Sequence, residues 1–487
     1  MDRRDIVRAL AALPALSGMR STAAERRRHA EALVDMPYRQ LGRTWRWVSP
    51  LGLGGQASLQ WTAPGIDPAD IVVRAVELGV NYLDTANAYG PSQLNYGDAF
   101  RRLHLTPYDP DYNHVLRQWL FVATKTSRRY ALDRSGAATA IDDLKRSLTQ
   151  LFGDGRGAIP DGAYVDSIQL HNLTALDQVD QAYEALDRRG GSMPDRIGAL
   201  AGLLDYRDGT NFTGLNPERR RYLRHIGITG HQSSPVLMRA LRRDRDSVID
   251  TLLVALNAND PRYSSHQHNV VPVAVARDTG VVAMKAFADG VFYGKPPRFS
   301  NTAADVVRTV GVPGAISHAD LVRYVVATPG VDVLITGIGQ IDRDDPAGDQ
   351  LAANLAAAVE AREATSQAER LRIEQDVRDL HGSETNYFQD RLRAPVPPVV
   401  ERVVAGGDLI TVYWHGGLAA GPAITGYQIY AGEHLLASLP FQAQTTLDPL
   451  EVTLPAPDPA TAYPGTIRVV AVTEPPAEAT PDHGAPS

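Results

Sequence analysis

Short apolar runs alternate with helical patterns between about residue 43 and residue 360 of this chain. Most of these runs do not alternate apolar with polar residues, as expected for parallel strands that are buried on both faces. The eight strand candidates are WVSPLGLGG, NYLDTA, LFVATKT, DSIQLHN, HIGITG, TLLVALN, GVVAMKA and VDVLITG. Eight strand–helix units predict a closed parallel (β/α)8 barrel, or TIM barrel, more naturally than an open sheet.

Helix boundaries are legible between these strands. Asp67-Pro68 supplies an N-cap followed by proline at the first helical position, and Gly79 closes the same helix. Two segments are longer than a simple barrel needs: Arg101–Gln118 and Gly190–Arg221. We expect the second to emerge on the face away from the chemistry, with a structural or partner-binding role at most.

Composition divides the chain into five parts. Residues 1–37 form an N-terminal arm, 38–360 the barrel, and 361–393 a charged helical connector. Residues 394–474 show alternating strand patterns between Gly/Pro turns, which predict a small all-β sandwich. Residues 475–487 read as a disordered tail. The predicted fold class is therefore an α/β barrel followed by a small β-sandwich domain.

The overall composition excludes several classes of function. The net charge of −7 gives no sign of the basic surface that nucleic-acid-binding proteins carry. No apolar run approaches the roughly 20 residues that a membrane-spanning helix requires. The chain has no cysteine, which removes disulfides, thiolate nucleophiles and cysteine-ligated zinc or iron–sulfur sites. We predict no metal site.

The N-terminus leaves localisation open. MDRRDIVRALAALPAL has paired arginines before a short apolar stretch, the outline of a twin-arginine export signal. Arg8 interrupts the apolar part and no clean A-x-A site follows. We expect a cytoplasmic protein with an amphipathic or disordered arm; export by a twin-arginine signal is the alternative.

Four chemically active side chains fall at the ends of three consecutive predicted strands. Asp84 and Tyr89 follow the second strand, Lys125 ends the third, and His171 follows the fourth. Adjacent strands lie about 4.8 Å apart, and barrel active sites lie at the carboxyl ends of the strands. Taken singly, each residue has an ordinary structural explanation, such as a helix cap or a hydrogen-bonded histidine. Their joint placement favours a shared site.

These side chains suit protonation of a carbonyl oxygen. Lys125 within about 4–6 Å of Tyr89 is expected to lower the pKa of the phenol, and Asp84 to hold Lys125 charged and in place. His171 can donate a hydrogen bond that orients the carbonyl, and Tyr89 is then the general acid. None of the four can supply hydride, so a nicotinamide cofactor is required. The predicted reaction is reduction of an aldehyde, ketone or sugar-like carbonyl to an alcohol.

Lysine usage supports a special role for Lys125. The chain has only four lysines, Lys125, Lys145, Lys285 and Lys295, and uses arginine elsewhere. A lysine inside an apolar run is therefore less likely to be a generic surface cation. By contrast, the Rossmann-like pattern G-x-G-x-x-A at residues 52–57 is rejected, because the following LQWTAPGIDP does not open a helix.

The barrel sequence resembles the aldo-keto reductases over roughly residues 38–360. DTANAYG with the strand Lys and strand His carries the resemblance, supported by GLGG, HIGITGH and DTGVVAMKAFADGVFYGK. It implies a TIM-barrel, NAD(P)H-dependent carbonyl reductase with Asp84, Tyr89, Lys125 and His171 as catalytic tetrad. It also implies cofactor-binding positions at Gly54, Gly55, Thr229, Gly230, Asn257, Met284, Lys285, Ala286, Phe287, Gly290, Gly337, Arg343, Gln350 and Asn354.

Some of these cofactor positions depart from the family pattern. Thr229-Gly230 replaces a Ser-Asn pair that contacts the carboxamide, and Met284 stands where an aromatic residue often stacks on the nicotinamide. Arg343 is expected near a 2′-phosphate, which favours NADP(H) over NAD(H). Residues Pro91–Asn95, Arg101–Gln118 and Asp260–His268 are candidate pocket segments, with Trp119 and His231 as possible contributors.

The C-terminal unit resembles a fibronectin type III domain. VYWH and ITGYQIY match its core-tryptophan strand and central strand. The resemblance implies a module that binds a ligand or protein or acts as a spacer. Because of this module, two alternatives to a small-molecule carbonyl reductase stay open. One is a non-catalytic or regulatory nucleotide-binding barrel with an interaction module, and the other is an extracytoplasmic adhesion protein.

Overall fold

The computed structural model describes residues 36–155, 157–186, 194–361, 365–389, 391–457 and 467–473. The predicted export signal and the C-terminal tail lie outside these residues. Among the helices of the described ranges, none has the length and apolar character needed to cross a membrane.

Eight parallel strands close into a barrel, which confirms the predicted TIM-barrel fold. The strands pair in sequence order, and the eighth returns to the first. Their bounds are β1 Leu51–Ala57, β2 Tyr82–Asp84, β3 Phe121–Thr126, β4 Val165–Leu170, β5 Leu223–Gly230, β6 Thr251–Ala255, β7 Gly280–Met284 and β8 Val333–Ile338. The glycines of the rejected Rossmann-like pattern lie within β1, so no helix opens at them.

Helices pack around the strands. They are α1 Pro68–Glu77, α2 Ser92–Arg102, α3 His114–Trp119, α4 Ala140–Phe152, α5 Leu176–Tyr183, α6 Ala199–Asp208, α7 Ser234–Arg243, α8 Val270–Val275, α9 His318–Val326, α10 Gln350–Glu360 and α11 Gln367–His381. The predicted start of α1 is confirmed, because the Asp67 side chain accepts a hydrogen bond from Ala69 N at 3.0 Å. Single 3-10 turns occupy Gly42–Thr44, Asp260–Arg262, Ala288–Tyr293 and Ala303–Asp305.

The barrel interior is filled at its amino end. An antiparallel hairpin of Arg39–Gln40 with Trp47–Val48 lies across that end. Its buried Leu41 and Val48 join a core cluster with inward-facing strand residues, among which Tyr82 and Phe121 stack with ring centroids 5.2 Å apart. Apolar side chains thus close the amino end of the barrel interior, and active sites of such barrels lie at the carboxyl ends of the strands.

We expected the Gly190–Arg221 segment to emerge on the face away from the chemistry. Its described residues, 194–221, include α6, a buried helix that packs on β5 and α4 as part of the barrel wall. The preceding Arg196–Gly198 strand pairs with Tyr130–Asp133, which follows β3. The loop after α6 is folded around Asp205, whose carboxylate accepts hydrogen bonds from Phe212 N and Thr213 N at 2.9 Å. The glycines and polar turn residues on either side of α6 obscured this helix of the barrel wall in the sequence.

The C-terminal residues form an all-β module, as predicted. Two antiparallel sheets, each of three strands within the described ranges, have the orders β9-β10-β13 and β12-β11-β14. The strands are β9 Val399–Gly406, β10 Leu409–His415, β11 Ile424–Ala431, β12 His434–Pro440, β13 Leu450–Pro455 and β14 Ile467–Thr473. Trp414 and Tyr427, with ring centroids 5.9 Å apart, lie in a core of buried residues that is shared by both sheets. We call these six strands the C-terminal β module.

Candidate functional site

A buried ion pair joins the ends of β2 and β3. Lys125 Nζ donates a hydrogen bond to Asp84 Oδ1 and a second, of 2.9 Å, to Thr85 O. The side chains of Lys125 and Asp84 are 1% and 2% exposed. Burial raises the pKa of Asp84 and lowers the pKa of Lys125, and each charge opposes the shift of the other. The pair therefore places a fixed ammonium below the mouth of the barrel.

Tyr89 and His171 complete the predicted group of four. Their ring centroids lie 5.6 Å apart at an interplanar angle of 84°. Lys125 Nζ lies 4.8 Å from the centroid of the Tyr89 ring. The structure thus brings together all four side chains that the strand ends predicted.

The pKa of Tyr89 differs from the expectation. It is raised well above its usual value, first by burial and then by the charges of Asp84, Tyr387 and Asp289. Lys125 Nζ lies over the face of the ring and donates its hydrogen bonds to Asp84 and Thr85. Tyr89 therefore stays protonated and can act only as a proton donor at neutral pH.

His171 is a neutral imidazole at neutral pH. Burial lowers its pKa to about 3, with smaller contributions from Lys125, Arg129 and Lys285. Two hydrogen bonds fix its backbone: His171 N donates to Thr126 O at 2.7 Å, and Arg129 Nη2 donates to His171 O at 2.8 Å. A neutral ring keeps one N–H, which suits donation to a carbonyl oxygen.

A cleft that is open to solvent runs beside these residues and is lined by Asp84 and Tyr89. Gly55 forms part of its wall, and a Cβ at this position would lie only 2.6 Å from Asp84 O. Ten of the predicted cofactor-binding residues line the cleft: Gly54, Gly55, Met284, Lys285, Ala286, Phe287, Gly290, Gly337, Gln350 and Asn354.

Three predicted nicotinamide contacts are engaged elsewhere. Thr229 Oγ1 accepts a hydrogen bond from Asn172 N at 2.8 Å. Gly230 packs against α7, where a Cβ would lie 2.7 Å from Leu237 Cδ1. Asn257 Nδ2 donates to Lys285 O and to Thr385 Oγ1, both at 3.3 Å. Both N–H groups of the Asn257 amide are therefore used, so Asn257 can donate to a carboxamide only if one of these bonds is given up.

Arg343 is held by two acids of α1. Its Nη1 lies 2.5 Å from Glu77 Oε2 and its Nη2 lies 2.9 Å from Asp70 Oδ1. The guanidinium is therefore already neutralised on the outer side of the barrel. This pairing takes away the reason for expecting Arg343 at a 2′-phosphate.

Two lysines meet one carboxylate at the predicted pyrophosphate loop. Lys285 Nζ lies 2.7 Å from Asp289 Oδ1, and Lys295 Nζ lies 2.9 Å from Asp289 Oδ2. Burial opposes ionisation of Asp289, but the two ammonium groups lower its pKa. Nearby, Gln350 Nε2 donates to Val307 O at 3.0 Å, so this side chain shapes the cleft wall. The donor set fits an anionic ligand that can share the two lysines with Asp289.

Asn172 is a site residue to which the sequence analysis gave no role. It has a left-handed backbone with φ of 55°, a conformation that asparagine tolerates better than most residues. Its Oδ1 is buried and accepts no hydrogen bond from the described residues. An unsatisfied buried acceptor beside Thr229 fits the amino group of a carboxamide.

The sequence analysis also missed a strap of residues, Ser383–Gln389, which follows α11. Tyr387 lines the cleft, and Phe388 stacks on His231 with ring centroids 4.0 Å apart and an interplanar angle of 17°. The two strap rings lie 4.0 Å from each other, and Tyr387 meets Phe299 edge-on at 5.7 Å. Two adjacent aromatic residues in an otherwise charged connector were the signal available in the sequence.

The candidate pocket segments divide between the two ends of the barrel. His231 and the Asp260–His268 loop lie at the site and contact the strap. Trp119 lies before β3 and packs against Tyr38, at the end opposite the site. Arg101–Gln118 also leads into that end, where the buried Arg117 pairs with Asp166 of β4 at 2.9 Å. Trp119 and Arg101–Gln118 are therefore not part of the pocket.

Sequence comparison finds a family match over the first half of the barrel. Residues 50–189 match the model of the aldo/keto reductase family. The matched segment covers β1 to β4 and contains Asp84, Tyr89, Lys125 and His171. An uncharacterized oxidoreductase, YqkF of Bacillus subtilis (strain 168), is 29% identical over 160 residues, which span 31% of this chain and 44% of that protein.

Two aldo-keto reductases of known structure are similar to this chain. One from Klebsiella pneumoniae, in complex with NADPH, is 16% identical with a TM-score of 0.42 and covers 74% of this chain and 99% of its own. One from Bombyx mori, in complex with NADP, is 16% identical with a TM-score of 0.43 and covers 73% of this chain and 99% of its own.

Proposed function

We propose that this chain is a carbonyl reductase of the aldo-keto reductase type, which uses NADP(H), or NAD(H), to reduce an aldehyde, ketone or sugar-like substrate. The observation that carries the proposal is the convergence of Asp84, Tyr89, Lys125 and His171 beside a large cleft. A scaffold with no chemistry has no need for a buried ammonium below a protonated phenol.

Each residue has a distinct task in this proposal. Tyr89, kept protonated by its raised pKa, donates a proton to the carbonyl oxygen as negative charge develops there. Lys125, held by Asp84, places a positive charge under the ring and favours the phenolate that remains. His171, neutral, donates an N–H to the carbonyl oxygen and orients it.

The cofactor supplies the hydride when it is bound. We assign Asn172 Oδ1 to the carboxamide and Lys285 and Lys295 to the phosphates. The basis is the unpartnered acceptor and the two clustered ammonium groups. Gly55 keeps the wall of the cleft open beside Asp84.

The test is titration of the purified protein with NADPH and NADH, followed by carbonyl-dependent loss of cofactor absorbance. Tyr89→Phe should keep cofactor binding and lose turnover by about 100-fold or more, the usual contribution of a general acid. Tyr108→Phe is the control, because Tyr108 is 46% exposed and belongs to the Arg101–Gln118 segment at the opposite end of the barrel. Retention of full activity by Tyr89→Phe would reject the assignment.

Two observations favour a second candidate, a non-catalytic or regulatory nucleotide-binding barrel. The side chain of Asn257 is bonded to the strap through Thr385, and Thr229-Gly230 lacks one amide donor. A protein that binds nucleotide with a measurable dissociation constant but reduces no member of a broad carbonyl panel would support this candidate instead.

The C-terminal β module is inferred to be of fibronectin type III kind. Two antiparallel sheets around Trp414 and Tyr427 support this inference. A solved structure of the isolated module would test it through the strand order.

A further inference from the structure

The loop between β6 and α8, Asn257–Asn269, is polar and yet buried. Its side chains of Asn257, Asn259, Asp260, Ser265 and His266 are all 0% exposed. Buried polar groups are retained only when they find partners. Besides partners in α7, α9 and α11, this loop bonds to two parts of the chain that follow in sequence, and we therefore call it the coupling loop.

One set of partners is the strap, Ser383–Gln389. Asn259 Nδ2 donates to Glu384 O at 2.8 Å, and Gln389 Nε2 donates to Asp260 Oδ1 at 3.1 Å. Tyr263 OH donates to Ser383 O. The strap is therefore bonded to the coupling loop near both of its ends.

The second set of partners is the C-terminal β module, through its loop between β10 and β11. Asn269 and Ala419 exchange two hydrogen bonds, from Asn269 Nδ2 to Ala419 O at 3.0 Å and from Ala419 N to Asn269 Oδ1 at 2.8 Å. Gly421 N donates to Pro261 O at 2.5 Å, and His268 Nδ1 lies 2.9 Å from Gly421 O. The module is docked on the same loop that holds the strap.

The strap in turn touches the site. Phe388 covers His231, and Tyr387 lines the cleft that contains Tyr89. A chain of contacts thus leads from the module through the coupling loop and the strap to the pocket.

We propose that the C-terminal β module is a fixed part of the catalytic unit, and that Asn269 and Gln389 are positioning residues that hold the Tyr387–Phe388 wall over the pocket. A module that only bound a ligand or acted as a spacer would not need to share its bonding partners with the strap. The expected effect on substrate binding rests on the proposed function. The dependence of the strap on the module, through the coupling loop, does not.

The test compares three variants of the full chain. Asn269→Ala removes both hydrogen bonds to Ala419 of the module, together with the bond from Asn269 Nδ2 to Ser264 O inside the coupling loop. Gln389→Ala removes the hydrogen bond to Asp260, together with the bonds that Gln389 Oε1 accepts from Thr385 and Asn386 within the strap. Arg242→Gln is the matched control, because Arg242 Nε donates to Gln444 O of the same module from α7 at 2.7 Å. Amide hydrogen exchange of a peptide covering the strap gives a readout that needs no turnover.

We expect strap exchange to rise about tenfold in Asn269→Ala and Gln389→Ala, the effect of losing roughly one hydrogen-bonded pair, and to stay unchanged in Arg242→Gln. With a reducible carbonyl, KM should rise about fivefold while kcat stays within about twofold, because the wall binds substrate without taking part in proton transfer. If Asn269→Ala does not fold, Asn269→Asp, which keeps the acceptor for Ala419 N, replaces it.

Unchanged strap exchange in a folded Asn269 variant would overturn the coupling. So would an equal rise in the Arg242→Gln control, since the effect would then be general loosening. A fall in KM would show that the strap obstructs the pocket, contrary to the proposal. If the wild type reduces no carbonyl, the proposed function fails. Amide hydrogen exchange of the strap, together with the dissociation constant of the cofactor, then still decides the inference.

Discussion

Lys125 lies under the face of the Tyr89 ring, with its Nζ 4.8 Å from the ring centroid, and donates its hydrogen bonds to Asp84 and Thr85. The ammonium therefore acts on the phenol through space, and burial keeps the pKa of Tyr89 above its usual value. The proton donor of the proposed reaction is ready at every physiological pH.

The reductive rate should therefore be almost independent of pH. Tyr89 stays protonated beyond the usual phenol value of about 10, and His171, with a pKa of about 3, stays neutral. A profile of kcat/KM from about pH 5 to about pH 9 should be flat within about twofold. An acid limb near pH 6.5 would mean that His171 titrates in the normal range.

Loss of the carboxylate at position 84 should destabilise the protein strongly. In Asp84→Asn the buried Lys125 loses its counter-charge, and breaking such a pair costs about 3–5 kcal/mol. Asp98→Asn removes the partner of Arg101 in an exposed pair, 53% and 44% exposed, and should cost no more than about 1 kcal/mol. Urea unfolding of both variants tests the contrast; equal losses would contradict it.

Arg343 should not decide between the two nicotinamide cofactors. Because Asp70 and Glu77 already hold its guanidinium, Arg343→Gln should leave the ratio of NADPH to NADH dissociation constants within about twofold of the wild type. Lys285→Gln should weaken both cofactors about tenfold, as expected for a lost phosphate contact. A selective loss of NADPH affinity in Arg343→Gln would restore the original expectation.

Asp260 should make the protein less stable as the pH rises towards neutral. Burial raises the pKa of Asp260 to about 7, so the folded protein holds a proton that the unfolded chain releases near pH 4. Stability contributed by this group is full below about pH 4 and falls by up to about 1.4 kcal/mol per pH unit until about pH 7. In Asp260→Asn this slope should vanish. The difference between the two stability curves separates the effect of Asp260 from that of Asp332, a second carboxyl whose pKa burial raises to about 6.

The sequence predicted the barrel and the four site residues because both follow from local rules. Buried parallel strands must be continuous apolar runs, and groups at the ends of neighbouring strands must converge. Asp84, Lys125 and His171 lie at such ends, so their proximity needed no knowledge of loop structure.

The features that the sequence did not predict depend on contacts between distant parts of the chain. Arg343 is paired with acids of α1 more than 260 residues earlier, and no local pattern signals this. The strap returns to the site because the Asn257–Asn269 loop holds it, which requires the tertiary arrangement. The side of the Tyr89 ring that faces Lys125 depends likewise on side-chain rotamers that spacing does not determine.

The scarcity of lysine has a practical consequence. Lys125, Lys285 and Lys295 are engaged with Asp84 and Asp289, and their side chains are 1%, 8% and 6% exposed. Lys145 is exposed on α4. An amine-reactive dye or surface should therefore attach at Lys145 before any other lysine side chain, and would leave the pocket untouched.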